Sequence, residues 1–291
     1  GNRILTVEGG QIANLTGGLC SSPNNLTNTY IYVKGSGANI QYISGGSVMT
    51  TTSGDKIIQM TDGIVQYSIV GGINGYESST GNGILTGNAL IYLGGNATVG
   101  GDGRLANKKY SPDKESIYKL EYGNVLGAGN GKNGEVDVGK LNSSHVIIDG
   151  NAKILKNVYG GGNFGKVAQN SKIDILGGTI GGNVYGGSNQ NGVDGNIEIN
   201  IKNGIVDGTI YGGSNVNGTV KGNAKITLSG GSVNANNEGK DAIFIGGCGL
   251  ATSVNGTSQV IVNNDSNNVN IAGNIYGGSE MGAVDGISAI T

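Results

Sequence analysis

His145 is the chain's one histidine, which excludes a histidine metal cluster and any repeated His-based triad. It reads as an ordinary residue at a strand end. Acid–base chemistry would then fall to carboxylates, with Arg or Lys beside them on one face. Asp149, Asp174 and Glu198 do not share one position of the repeat described below, and Arg occurs only at Arg3 and Arg104. Lys172 and Glu198 do share a position, in neighbouring repeats, and read as an exposed ion pair of little energetic weight. "GAGNGKNGEVDV" at 127–138 lacks the Gly-Gly-x-Gly-x-Asp spacing of calcium-binding loops. No catalytic residue, metal or cofactor is expected.

Binding has more candidates. Residues 100–123 concentrate charge in an otherwise neutral stretch, with Arg104, Lys108 and Lys109 beside Tyr110 and Tyr118. A second group is a recurring tyrosine, Tyr159, Tyr185, Tyr211 and Tyr276, each placed just before a Gly-Gly pair. The apolar residue before each tyrosine should face inward, so by alternation the ring should face out and offer stacking platforms to sugar rings or a protein. A bland reading fits the same spacing: a copied repeat copies its residues, and the rings are a packing ladder, buried if the strand bends there.

The elements that position these residues come from one phrase. "NVYGGGN", "NVYGGSN" and "TIYGGSN" recur with Gly160, Gly186 and Gly212 spaced 26 residues apart. The phrase returns as "IFIGGCG", which puts Ile245 at the tyrosine position, and as "NIYGGSE", and in weaker form at 14–20, 42–48, 68–74 and 124–130, which makes nine copies. Short alternating runs such as "KIDIL" and "EINI", punctuated by Gly and Asn, are strands and too brief for helices. Apolar residues fall in shared columns: Ile173 and Ile199, Ile175 and Ile201, Ile180 and Val206, Val184 and Ile210, and a fifth column of Val167, Val193, Val220, Val254 and Val284. Strand, turn, strand and turn with the same columns in every copy predict an all-β fold, a right-handed parallel β-helix (β-solenoid) of about nine coils.

Two insertions interrupt it at the same bend, 100–123 in the fourth copy and 234–242 in the eighth. Ser111 as cap and Pro112 at the first position predict a short helix in the larger one. Asn14, Asn124, Asn157, Asn183 and Asn274 recur three places before the Gly pair and predict an amide ladder that satisfies backbone groups at a bend. Cys20 and Cys248 belong to the first and eighth copies, about 34 Å apart at strand spacing, too far for a disulfide. Residues 1–291 read as one solenoid domain of a longer chain, since "DGISAIT" opens another coil and further repeats are expected beyond Thr291. A net charge of −2 argues against nucleic acid, and no apolar run is long enough to insert in a membrane.

"GNVYGGSN", then "NGV", then an alternating strand and another Gly-Gly resembles the Gly-rich repeats of large bacterial cell-surface proteins. These look like right-handed β-helix adhesins of pectate-lyase-like architecture. The resemblance implies an extracellular, surface-exposed stalk or adhesin that is not an enzyme and that meets a host surface or polysaccharide. The alternative is a polysaccharide lyase or glycoside hydrolase, with its groove beside the 100–123 insertion.

Overall fold

The computed structural model describes residues 1–18, 28–47, 53–73, 87–101, 123–131, 139–234, 241–263 and 268–291. Among them are 27 strands and no helix. The helix expected around Ser111 lies outside the described residues, as do Arg104, Lys108, Lys109, Tyr110, Tyr118 and Cys20.

Each strand pairs in parallel with the equivalent strand of the next coil, giving the stacked pattern of a β-solenoid. The first column runs through Ser144–Ile148, Ser171–Ile175, Ile197–Ile201 and Ala224–Leu228, the starts of coils five to eight. The second runs through Lys153–Ile154, Thr179–Ile180, Ile205–Val206 and Gly231–Val233. The third carries the recurring phrase, through Val158–Tyr159, Val184–Tyr185, Ile210–Tyr211, Ile243–Phe244 and Ile275–Tyr276. A fourth line joins Leu141, Val167, Val193, Val220, Val254 and Val284. In the first two coils the first three columns run together as the long strands Arg3–Thr16 and Thr29–Ser44.

The shared apolar columns point inward as their alternation requires. Ile173, Ile175, Ile180, Val184, Val167 and their partners in neighbouring coils are fully buried and belong to one continuous core. Burying a branched side chain contributes about 1.5–3 kcal/mol, so several per coil offset much of the ordering entropy. In the second, fifth and sixth coils a hydroxyl at the start of the first column reaches the carbonyl of the Gly-Gly phrase. Thr29 Oγ1 donates to Gly45 O at 2.6 Å, and Ser171 Oγ donates to Gly186 O at 2.7 Å. These bonds tie the beginning of those coils to their third column.

The bend between the first and second columns requires glycine. Gly150, Gly178, Gly204 and Gly231 all have positive φ, from 59° to 90°. A Cβ on Gly204 would also lie 2.7 Å from the carbonyl oxygen of Gly177 in the coil below. Gly204→Ala is therefore expected to cost about 2 kcal/mol, the sum of a left-handed side-chain penalty and a backbone clash. Urea denaturation checks this, and an unchanged midpoint would mean that the bend relaxes freely.

The asparagine ladder expected before the Gly pair is present through its middle. The backbone N–H groups of Asn157, Asn183 and Thr209 donate to the side-chain oxygens of Asn124, Asn157 and Asn183, at 3.0, 2.7 and 2.9 Å. A second ladder, buried in part and not anticipated, links the amides of Asn130, Asn163, Asn189 and Asn215 at 2.8 Å per step.

Two expectations are corrected. In the inner copies the residue before the Gly pair does not face solvent: Tyr159, Tyr185 and Tyr211 are at most 6% exposed and form a second apolar cluster with Tyr42, Val70, Leu126 and Phe244. In the eighth coil the column passes through Phe244 and not Ile245, because Phe244 pairs with both Tyr211 and Tyr276. Ile245 takes the place of the first glycine instead, its carbonyl lying against Gly212.

Candidate functional site

Of the tyrosines proposed as binding platforms, the structure brings four into one stack. Tyr159, Tyr185, Tyr211, Phe244 and Tyr276 succeed one another with ring centroids 4.7–5.4 Å apart and planes within 10° of parallel. The inner rings have neighbours on both faces, which leaves no face for a sugar, and only Tyr276 is exposed, at 38%. What covers the rings is the segment after the phrase. Asn215 Nδ2 lies 3.4 Å from Tyr159 Oη, and Tyr211 Oη donates to Glu280 Oε2 at 2.7 Å. Burial, then the bond to Glu280, pushes the Tyr211 phenol well above its usual range. The same carboxylate accepts from Cys248 Sγ at 3.1 Å, and burial together with Glu280 pushes that thiol up to about 11. Cys248 is thus a free thiol with little thiolate at neutral pH, unsuited to nucleophilic work.

The outer face of the first column carries a charged constellation that the sequence reading missed. His145 pairs in register with Lys172, and Lys172 with Glu198. Asp174 lies one coil on and two residues along from His145, a diagonal neighbour within reach of long side chains. His145 Nε2 meets Asp174 Oδ2 at 2.7 Å, Lys172 Nζ lies 3.4 Å from the same oxygen, and Asn200 Nδ2 donates to Asp174 Oδ1 at 2.8 Å. Burial pushes the Asp174 carboxyl up, but the bonds from Asn200 and His145 and the Lys172 charge outweigh it and hold it below the usual carboxylate range. The expected Lys172–Glu198 pair gives way to this arrangement, and Glu198 accepts from Asn200 at 2.9 Å. Among the described residues no hydroxyl or thiol is bonded to the His145 ring. Nor do three His, Cys, Asp or Glu side chains gather as a metal set among them.

Beside this face, over the glycine bend, runs a groove of about 740 Å3 that crosses coils five to nine. Its floor is the stacked backbone of Gly150, Gly178, Gly204 and Gly231, where no side chain fits, and the outward residues of the second column form its wall. Lys153, Thr179, Lys202, Asn203 and Ser232 line it with donors, and the exposed Ile205 adds an apolar patch. Among the described residues neither lysine is in an ion pair and no carboxylate lines the groove. The volume falls in the range of ligand sites, and the shape is a trough open along the stacking axis. A signal for it existed in the sequence, in the Gly that recurs between the first two strands of each copy. The chain matches no family model, no curated protein and no solved structure.

Proposed function

We propose that the chain is a closed, right-handed β-solenoid serving as a non-enzymatic, glycan-binding segment of a bacterial surface protein, an adhesin or stalk. The observation that carries this is the groove: a bare glycine floor with unengaged donors along several coils matches the edge of an extended polymer better than a compact small molecule. Closure is supported by the bonds from Thr29 and Ser171 to the Gly-Gly carbonyls of their own coils. The hand rests on the strong preference of parallel crossovers, and the surface location on the resemblance of the repeat phrase.

A second site for recognition is the 100–123 insertion, favoured by one feature of its anchorage. A Cβ on Gly100 would stand 3.0 Å from Gly123 Cα, so the two ends of the insertion touch. Replacing 102–122 by a short Gly-Ser link is therefore expected to leave the denaturation midpoint unchanged, because the coil already closes beneath it. Glycan-array binding separates the two sites. Binding retained by the deletion and lost in Thr179→Trp, which fills the groove, supports the groove; the reverse pattern assigns recognition to the insertion. Among the described residues the enzymatic alternative draws on the His145–Asp174 pair. Release of reducing ends or unsaturated products from a polysaccharide, abolished in His145→Ala, would favour it over a binding segment.

A further inference from the structure

Building on the glycan-binding groove, we infer that its ligand is a linear acidic polysaccharide lying parallel to the stacking axis, with its anionic groups seated on Lys153 and Lys202. Among the described residues the charge in the groove is one-sided. Lys153 and Lys202 are both exposed there, without an ion pair among the described residues, while the carboxylates of the adjoining face are engaged elsewhere. Asp174 is held by His145, Lys172 and Asn200, and Glu198 by Asn200. Asp194, on the fourth line of the coil, is clasped between Lys166 and Lys221 at 2.8 and 2.9 Å. An unpaired cation pair in a chain of net charge −2 is therefore a local departure that those lysine–carboxylate pairs elsewhere do not share.

The spacing selects the polymer. Lys153 pairs with Thr179, and Thr179 with Ile205, three residues beyond Lys202. The two ammonium groups thus belong to coils five and seven, about 10 Å apart along the axis at strand spacing. That span suits charges on alternate residues of an extended saccharide chain, a disaccharide period. Between them the groove offers Thr179 to hydroxyl groups and Ile205 to an apolar sugar face. The glycine floor lets the chain approach backbone directly.

The test uses the whole chain and three hexasaccharides: a carboxylated one (oligogalacturonate), a sulfated one (heparin-derived) and a neutral one (cellohexaose). Calorimetry should show one or both acidic ligands binding and the neutral one at least ten-fold weaker; which acid binds distinguishes carboxylate from sulfate. Lys153→Ala and Lys202→Ala should each cost about ten-fold, the size of one charge-assisted hydrogen bond. Lys225→Ala, exposed on the adjoining face, should cost nothing, and Thr179→Trp should abolish binding. Equal binding of the neutral ligand, lost in Thr179→Trp but indifferent to both lysines, overturns the acidic class and leaves the glycan groove standing. Binding that survives Thr179→Trp, or no binding of any hexasaccharide, overturns both. A short single-stranded DNA that competes better than either acidic glycan would make the groove a general polyanion site and overturn the saccharide assignment.

Discussion

Tyr185→Ala is expected to destabilise the protein by about 3–5 kcal/mol, the cost of emptying a large buried aromatic site. Tyr185 is 3% exposed and lies between Tyr159 and Tyr211, with centroids 4.9 and 5.0 Å away and planes 10° and 6° from parallel. At those separations near-parallel rings are offset, which avoids the repulsion of a face-to-face sandwich, and each contact is worth about 0.5–1.5 kcal/mol beyond area burial. The substitution removes two such contacts and opens a gap in a cluster that lies apart from the main core. Tyr185→Phe keeps the stack and loses only the 2.9 Å bond from Asn183 Nδ2, at a cost of about 1 kcal/mol. Tyr276→Ala, at the exposed end of the ladder, should cost less than Tyr185→Ala. Urea denaturation followed by far-ultraviolet circular dichroism orders the three. A Tyr185→Ala loss no larger than that of Tyr276→Ala would falsify a stabilising role for the ladder.

The second large effect is a gain. Lys56 is only 1% exposed and occupies the first-column position filled by Thr29, Ala89 and Ser144 in nearby coils. Its ammonium donates to Gly54 O at 2.5 Å. Burial pulls it from 10.5 down to about 8, against the opposing pull of Asp55. A lowered folded value means that the unfolded chain holds the proton more tightly between pH 8 and 10.5. Stability should then rise with pH from about 8, and the charge penalty at neutral pH is about 3 kcal/mol. Tyrosine linkage limits the window from above. The Tyr185 and Tyr211 phenols are raised, so the stability they contribute is complete below the unfolded value of about 10 and falls beyond it. The Lys56 contribution alone climbs by about 2 kcal/mol between pH 8 and 10, while the raised Cys248 thiol, from about pH 9, and the two phenols offset it, so the climb is read as the difference between this protein and Lys56→Met. Lys56→Met should be about 1–3 kcal/mol more stable at pH 7 and lack the climb. Parallel profiles for the two proteins would show that the ammonium is solvated.

The inward columns were legible because two periods agree on them. Ile173 and Ile199 follow both the alternation along a strand and the 26-residue copy, and nothing elsewhere in the chain competes for their faces. The tyrosines obey the same alternation, since Val184 points inward and Tyr185 away from the main core. Alternation says nothing about what lies on the far side, and there Asn215, Cys248 and Glu280 return to cover the rings. In the eighth phrase, matching Gly-Gly to Gly-Gly puts Ile245 in the ladder, whereas stacking an aromatic ring on Tyr211 shifts the register by one residue. The His145–Asp174 contact is not legible in shared columns because it is diagonal: the two residues hold different positions of the repeat. The groove was half visible. The turn glycines stood out in the sequence, but that their stacking leaves a continuous trough follows only from the left-handed bend they share.

The parallel pairing of each coil with the next has a mechanical consequence. Its hydrogen bonds point along the stacking axis, so tension applied through the two ends of the chain opens them a few at a time, as a zipper opens, instead of shearing a whole strand at once. The apolar contacts between neighbouring coils part in the same step. A coil of 26 residues that peels away lengthens the chain by about 90 Å while shortening the stack by about 5 Å. Under load such a rod yields in near-equal increments at modest force, paying out slack coil by coil.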